Sequence, residues 1–232
     1  MLTPEESTAL LLSVKVAAWC MVIGLLPGIA IAWLLARREF FGKSLFDAIV
    51  HLPMVLPPVV PGYLLLVLMG NNGMIGKFLN ENFGISLAFN WTGAVLASLI
   101  MGLPLLVQPI RLSFQLIDSR LENAARTLGA SPRKVFFSIS LPLALPGILV
   151  GAILSFSRSL GEFGATITFV GNIEGETRTL PLAIYTFVHQ PAGEEPAMRL
   201  IWISIAISLA ALLAGNAVQR RLQKRLGYRD HV

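Results

Sequence analysis

Charge is what this sequence lacks. Only 13% of its 232 residues are Asp, Glu, Lys or Arg, against about 25% in soluble domains, and 55% are hydrophobic. In water such a chain would expose large apolar patches, which excludes an ordinary soluble enzyme, a disordered protein and a coiled coil. Cysteine is nearly absent. Cys20 alone leaves no internal disulfide and no cysteine-based zinc site. A phosphate-binding loop is also missing. Gly42-Lys43-Ser44 has the right ending, but Arg37 stands where the upstream glycine is required; Gly76-Lys77 is followed by Phe78, with Asn71 at the upstream position. No catalytic residue, metal site or cofactor is expected in the chain.

Long apolar runs are what it has. Five are long enough to cross a bilayer, which takes about 20 residues each. They are Val16 to Ala36 (its start nearer Thr8, with Lys15 tolerated near the end), Ala48 to Met69, Ala88 to Ile110, Leu141 to Ser157, and Leu200 to Val218. The fourth continues past Arg158 and Glu162 to Gly171. The runs are continuous rather than alternating, so they read as helices and not barrel strands. The expectation is an all-α polytopic membrane protein of about five transmembrane helices, over 8–36, 46–69, 88–110, 142–171 and 199–219. A single transmembrane domain, 8–218, is followed by a basic tail, 219–232.

The net charge of +5 could suggest nucleic acid, but its distribution does not. Arg37, Arg38, Lys43, Arg111, Arg120, Arg126, Arg133, Lys134, Arg220, Arg221, Lys224, Arg225 and Arg229 fall on one side of the spans. Lys15, Lys77, Arg178 and Arg199 fall on the other. Positive loops are cytoplasmic, so the N-terminus is expected outside and the C-terminus inside, with no nucleic acid as partner. Glu5 and Glu6 flank the first run and no small-residue cleavage pattern follows it, so that span is read as retained. The outer segment Gly70 to Asn90 is turn-like. The outer segment Asn172 to Arg199 holds a short apolar stretch, Leu180 to Val188, which either lies on the membrane surface or packs against the bundle.

The inner segment 111–141 is long and patterned. Leu112, Leu116, Leu121, Ala124, Ala125 and Leu128 recur at roughly helical spacing. Asp118 and Ser119 suit the cap of a short helix beginning near Arg120, and Gly129 suits its stop. Ser131 caps a second helix with Pro132 at its first position, carrying Val135, Phe136 and Ile139 towards Leu141-Pro142. Two short helices around a glycine corner make a knob suited to a groove on a soluble partner. The alternative is a basic amphipathic helix lying on lipid headgroups.

These residues carry a resemblance. Asn123-Ala124-Ala125-Arg126-Thr127-Leu128-Gly129, nine residues, then Ile139-Ser140-Leu141-Pro142 resembles the EAA signature of ABC importer permeases: Glu-Ala-Ala, three residues, Gly, nine residues, Ile-x-Leu-Pro. Asn123 replaces the family's glutamate. Glu122 lies one residue earlier, about 100° around a helix, so the glutamate's role does not simply transfer. His51-Leu52-Pro53-Met54-Val55-Leu56-Pro57-Pro58-Val59-Val60 and Ser157 to Thr166 are similar to the molybdate branch of that family, close to the sulfate and thiosulfate permeases. The resemblance spans essentially the whole chain.

It implies the architecture of a type I importer permease in a bacterial inner membrane, moving molybdate by alternating access; sulfate, thiosulfate or tungstate is the alternative cargo. It implies a homodimer, two ATP-binding cassette subunits that hold ATP and magnesium, and a periplasmic oxyanion-binding protein. Glu122, Asn123, Ala124, Ala125, Arg126, Leu128, Gly129, Ala130 and Ser131 would couple to the ATPase. A membrane scaffold would leave the patterned loop and the proline cluster without a use, and an intramembrane enzyme would need converging nucleophile, base or metal ligands where the spans hold one Arg–Glu pair.

For the path, a dianion needs hydrogen-bond donors and some positive potential without a deep well. The second span holds Pro53, Pro57, Pro58 and Pro61, which break the backbone as a cavity-lining segment would. A helix restarting near Pro61-Gly62 would aim positive amides at the midplane. A kinked packing helix is the alternative. In the fourth span Arg158 and Glu162 are spaced i, i+4 on one helical face, with Ser155, Ser159, Thr166 and Thr168 supplying hydroxyls nearby. They read as a moderated cation near the anion, or as a structural ion pair. From Leu143 to Gly171 the fourth span has 29 residues, about 43 Å as helix, and must tilt, project or break near Gly161 or Gly164. Gly24 to Gly28 and Gly147 to Gly151 read as small-residue packing motifs.

Overall fold

The computed structural model describes residues 2–225, with side chains for all of these except 216 and 218–225. All regular structure among the described residues is helical. The first helix, α1 (Pro4–Arg37), starts at a capping box: the Glu6 amide donates to Thr3 Oγ1 at 3.2 Å, and the Thr3 amide donates to Glu6 Oε2 at 2.7 Å. Its 34 residues span about 51 Å, so its ends stand beyond a hydrocarbon layer of about 30 Å. Lys15 is accommodated because its Nζ sits 3.5 Å from the ring centroid of Trp91, at the start of another span.

The second apolar run is two helices, α2 (Lys43–Val55) and α3 (Val59–Met69), whose axes differ by 112°. Leu56 is forced into extended backbone (φ −72°, ψ 145°) by Pro57 after it, and a second proline follows at once. The expected restart near Pro61-Gly62 is corrected to Val59, with Pro58 as the cap. A short surface helix, α4 (Met74–Phe83), leads to α5 (Trp91–Leu116).

Helix α5 is the centre of the bundle. Its most apolar window is 61% buried, against 11% for the last helix, α11 (Glu194–Arg225), which lies at the edge of the bundle. Lipid tails are as apolar as leucine, so pairing of spans depends on close packing rather than on apolar burial. Both small-residue motifs serve that purpose against α5. A Cβ on Gly28 would lie 2.6 Å from Leu106 Cδ2, and one on Gly151 would lie 2.5 Å from the Leu106 carbonyl oxygen.

After α5 come α6 (Ser119–Thr127) and α7 (Pro132–Val135). The boundary expected at 142, between the second short helix and the fourth span, is absent. α7, a π turn (Phe136–Ser140) and α8 (Leu141–Leu160) run on as one 29-residue helix, Pro132–Leu160. Pro142 has no N–H to offer the Ser138 carbonyl, and the wider turn, closed by the Leu141 amide on the Phe136 carbonyl, accommodates the defect. The helix stops at Leu160. Residues 161–163 are unwound and α9 (Gly164–Val170) resumes, so the over-long span does break.

The short apolar stretch forms α10 (Leu180–Val188). It packs on the bundle, with Leu180, Ala183 and Phe187 buried beside Ala9, Ala197 and Leu200. At this end Glu5 pairs with Arg178, and buried Glu6 meets Arg199 at 2.8 Å. At the other end Arg37 pairs with Glu122 and Arg111 with Asp47, so the two charge groups separated by sequence gather at opposite ends. Of the basic tail, 219–225 continue the backbone of α11, and 226–232, including Arg229, lie outside the described residues.

Candidate functional site

The knob is built as its sequence dictates. Asp118 caps α6, its carboxylate accepting from the Arg120 amide at 2.9 Å. The helix ends in a Schellman turn: the Gly129 amide donates to the Arg126 carbonyl at 2.9 Å and the Ala130 amide to the Ala125 carbonyl at 3.0 Å. Gly129 has φ +83°, which a side chain resists, yet open space surrounds it. Ser131 Oγ then caps α7 through the Lys134 amide at 3.4 Å.

Exposure divides the motif into two faces. Asn123, Ala124, Arg126, Gly129 and Ser131 are exposed, and Leu128 is 88% exposed at the tip. Ala125 and Ala130 are half-buried against the body. Glu122 points inward: it pairs with Arg37 at 3.1 Å and accepts from Ser140 Oγ at 2.7 Å, while the same guanidinium holds the Ile117 carbonyl at 3.1 Å. The one-residue shift of the glutamate thus decides its contacts. Glu122 ties the knob to α1 and to the π turn, whereas Asn123 stands at the surface. Aromatic packing continues the anchor, with Phe136 edge-on to Trp33 (centroids 5.8 Å apart) and stacked near Phe114 (6.2 Å).

The two expected path segments meet. Pro58, the cap of α3, lies against Gly164, the first residue of α9: a Cβ on Gly164 would fall 2.6 Å from Pro58 Cβ. One turn on, a Cβ on Gly62 would fall 2.7 Å from the Ala165 carbonyl oxygen. The proline break of one span is therefore packed on the glycine break of another. Pro57 is exposed and its carbonyl accepts from the Val60 amide at 2.8 Å; Pro61 is buried in the first turn of α3. Pro61 has no N–H and the Gly62 amide leans on the Pro58 carbonyl at 3.5 Å. Val59 keeps the one first-turn amide of α3 without a backbone acceptor among the described residues, so the helix end offers an anion fewer donors than a regular N-terminus.

Arg158 and Glu162 do not share a helical face. Arg158 lies in the last turn of α8, and Glu162 sits in the unwound segment, with Nη1 and Oε2 2.6 Å apart. The Glu162 side chain is 1% exposed, and its Oε1 accepts from the Ala165 amide at 2.8 Å. The carboxylate therefore occupies the start of α9 and takes up its Ala165 amide. The Thr166 hydroxyl is buried and directed to the Phe163 carbonyl at 2.9 Å; Thr168 donates to Gly164 at 2.8 Å. Ser155 lies 4.0 Å from Cys20 Sγ, and Ser159 Oγ is buried without a partner among the described residues.

Sequence reasoning missed the Arg37 anchor and the Asp47–Arg111 pair (2.7 Å), each joining residues far apart in the chain. The signal that could have found them was the presence of Glu122 and Asp47 among basic residues at one membrane boundary. It also missed a cavity of about 650 Å³ between α1 and the knob.

The family model described as binding-protein-dependent transport system inner membrane component matches residues 28–228. The chain is 56% identical over 222 residues to the molybdenum transport system permease protein ModB of Haemophilus influenzae, covering 96% of this chain and 97% of that one. It is 55% identical over 226 residues to the protein of the same name from Escherichia coli, covering 97% and 99%. A solved bacterial ABC transporter involved in the import of the acidic polysaccharide alginate shares its fold, with TM-score 0.76 at 16% identity over 94% of this chain and 80% of that one.

Proposed function

This chain belongs to the family of binding-protein-dependent transport system inner membrane components, and from that premise we propose that it carries molybdate across the inner membrane as the permease subunit of an ABC importer. It is a multi-pass inner-membrane transport component with four apolar helices long enough to span, or five with the bent pair α2–α3. The knob lies on the cytoplasmic side, the start of α1 outside. Two copies form the path, two ATP-hydrolysing subunits seat on the knobs and hold the nucleotide and its magnesium, and a periplasmic binding protein delivers the anion.

The observation that carries the reading is the knob: an exposed tip at Leu128 and Gly129 on a helix fastened from behind by Glu122. Force applied at the tip passes into Arg37 of α1 and, through α7, into the single helix Pro132–Leu160, about 43 Å long. That helix ends where the fourth span breaks, and α9 beyond the break packs on the proline break at Pro58. Movement at one membrane surface is thereby delivered to two facing discontinuities. The ATPase drives transport by binding the two conformations with different affinity; equal affinity would shift nothing. Arg158 balances buried Glu162, so neither facing break presents a bare cation, which suits a dianion that must leave again.

The test is reconstitution with the ATPase and the binding protein. ATP-dependent accumulation of molybdate is expected, with tungstate as a competitor of the same shape. Accumulation of sulfate or thiosulfate in its place would reassign the cargo. Oxyanion uptake by this chain alone, without the ATPase, would remove the class.

A further inference from the structure

The cavity between α1 and the knob has the anchor pair Arg37 and Glu122 in its wall, but the space itself takes part in no step above. Its walls are of two kinds. Ala30, Trp33, Phe136 and Phe137 are apolar or aromatic, and Arg37, Arg38, Arg126 and Arg133 line the same space. Glu122 is the one acidic lining residue and is paired with Arg37. Arg38, Arg126 and Arg133 make no ion pair among the described residues; Arg38 rests 5.5 Å from the centroid of Trp33. Ala30 precedes Arg37 by seven residues on α1, so the apolar wall reaches about 10 Å further into the membrane than the arginines.

We propose that this cavity holds an anionic phospholipid of the leaflet on the knob side, its phosphodiester at Arg38, Arg126 and Arg133 and the root of its acyl chains along Trp33 and Phe137. The chemistry recognised is a singly charged phosphate ester joined to hydrocarbon. A free phosphate or the transported oxyanion would use the arginines but leave the aromatic wall without an occupant. At about 650 Å³ the space has the size of a ligand pocket, far more than a tetrahedral anion fills. Its place at the end of the first span puts the arginines at headgroup level, where basic pockets between helices bind such lipids. A bound lipid would bridge α1 and α7, the two elements that receive force from the knob. The inference does not depend on which oxyanion is carried.

The experiment uses the complete transporter with its ATPase subunits, purified and analysed by native mass spectrometry with phosphatidylglycerol or phosphatidylcholine added. Phosphatidylglycerol is expected to be retained preferentially. The Arg38→Gln/Arg133→Gln variant should weaken retention about 30-fold, at about fivefold per surface arginine. Unchanged retention in that variant overturns the proposal. So does displacement of the lipid by inorganic phosphate or molybdate, which would make the site one for free anions. Absence of lipid whenever the ATPase subunits are present would assign the cavity to that partner and overturn it equally. A second reading needs no arginine variant. Phosphatidylglycerol brominated on its acyl chains should quench wild-type tryptophan fluorescence more than brominated phosphatidylcholine, and the excess should vanish in Trp33→Phe. An equal excess in Trp33→Phe places the lipid elsewhere.

Discussion

Replacing Glu122 by alanine tests the idea that the knob is a fastened lever. Arg37 and Glu122 are 18% and 13% exposed, between a surface pair and a buried one. An exposed pair is worth about 0–1 kcal/mol, while breaking a buried one costs about 3–5 kcal/mol, so about 2 kcal/mol is expected here. The hydrogen bond from Ser140 adds little to the net loss, because a helical hydroxyl can turn to a carbonyl in the preceding turn. A loss of about 2 kcal/mol raises the population of an unfastened knob about 30-fold. Amide hydrogen exchange over residues 119–130, measured on the reconstituted transporter, should quicken by a similar factor. ATP consumed per oxyanion should rise, because force at the tip no longer reaches α1. Asn123→Ala, on the exposed face, should leave the exchange unchanged. Should Glu122→Ala show wild-type exchange and wild-type stoichiometry, the anchor has no mechanical role.

Three further outcomes follow from the geometry. Gly62→Ala places a methyl 2.7 Å from the backbone of Ala165, and overpacking of this kind costs about 1–3 kcal/mol; melting in detergent should fall and uptake slow, whereas unaltered values would mean that α3 and α9 are not tightly apposed. Arg158→Gln strands the buried Glu162 carboxylate and should lower stability by about 3–5 kcal/mol, and Arg158→Gln/Glu162→Gln should recover more than half of that in the same melt. Failure to recover would argue that Arg158 serves the path and not the pair. Gly129→Asp must hold a side chain at φ +83° at about 1–2 kcal/mol, enough to distort the tip without unfolding the spans. Normal insertion with ATP hydrolysis uncoupled from uptake is predicted; full coupling in the variant refutes the tip assignment.

The local features were legible because they depend on neighbours in the chain. Asp118, Gly129, Ser131 and Pro132 set caps and turns through backbone chemistry within a few residues, and each appears where the pattern placed it. Length alone required the fourth span to tilt, project or break, and it breaks after Leu160, beside the glycine that marked the place. Two local readings failed for a local reason that is harder to see. Pro142 does not separate the knob from the fourth span, because a π turn accommodates its missing N–H. Nor do Arg158 and Glu162 share a face, because the helix ends between them.

The sequence by itself determined that this is a bundle of membrane-spanning helices with an ordered loop, because apolar run length and the sorting of charge answer to the bilayer and to no particular partner. Tertiary structure alone decided that Glu122 grips Arg37, that Pro58 meets Gly164, and that a basic cavity opens beside Trp33. Those contacts depend on how far each helix is turned and tilted against the next. In lipid, apolar periodicity says little about rotation, since leucine is as well placed against a tail as against a neighbour. Close approach at glycine and the pairing of charges fix it instead, and both act between residues that the linear order keeps apart.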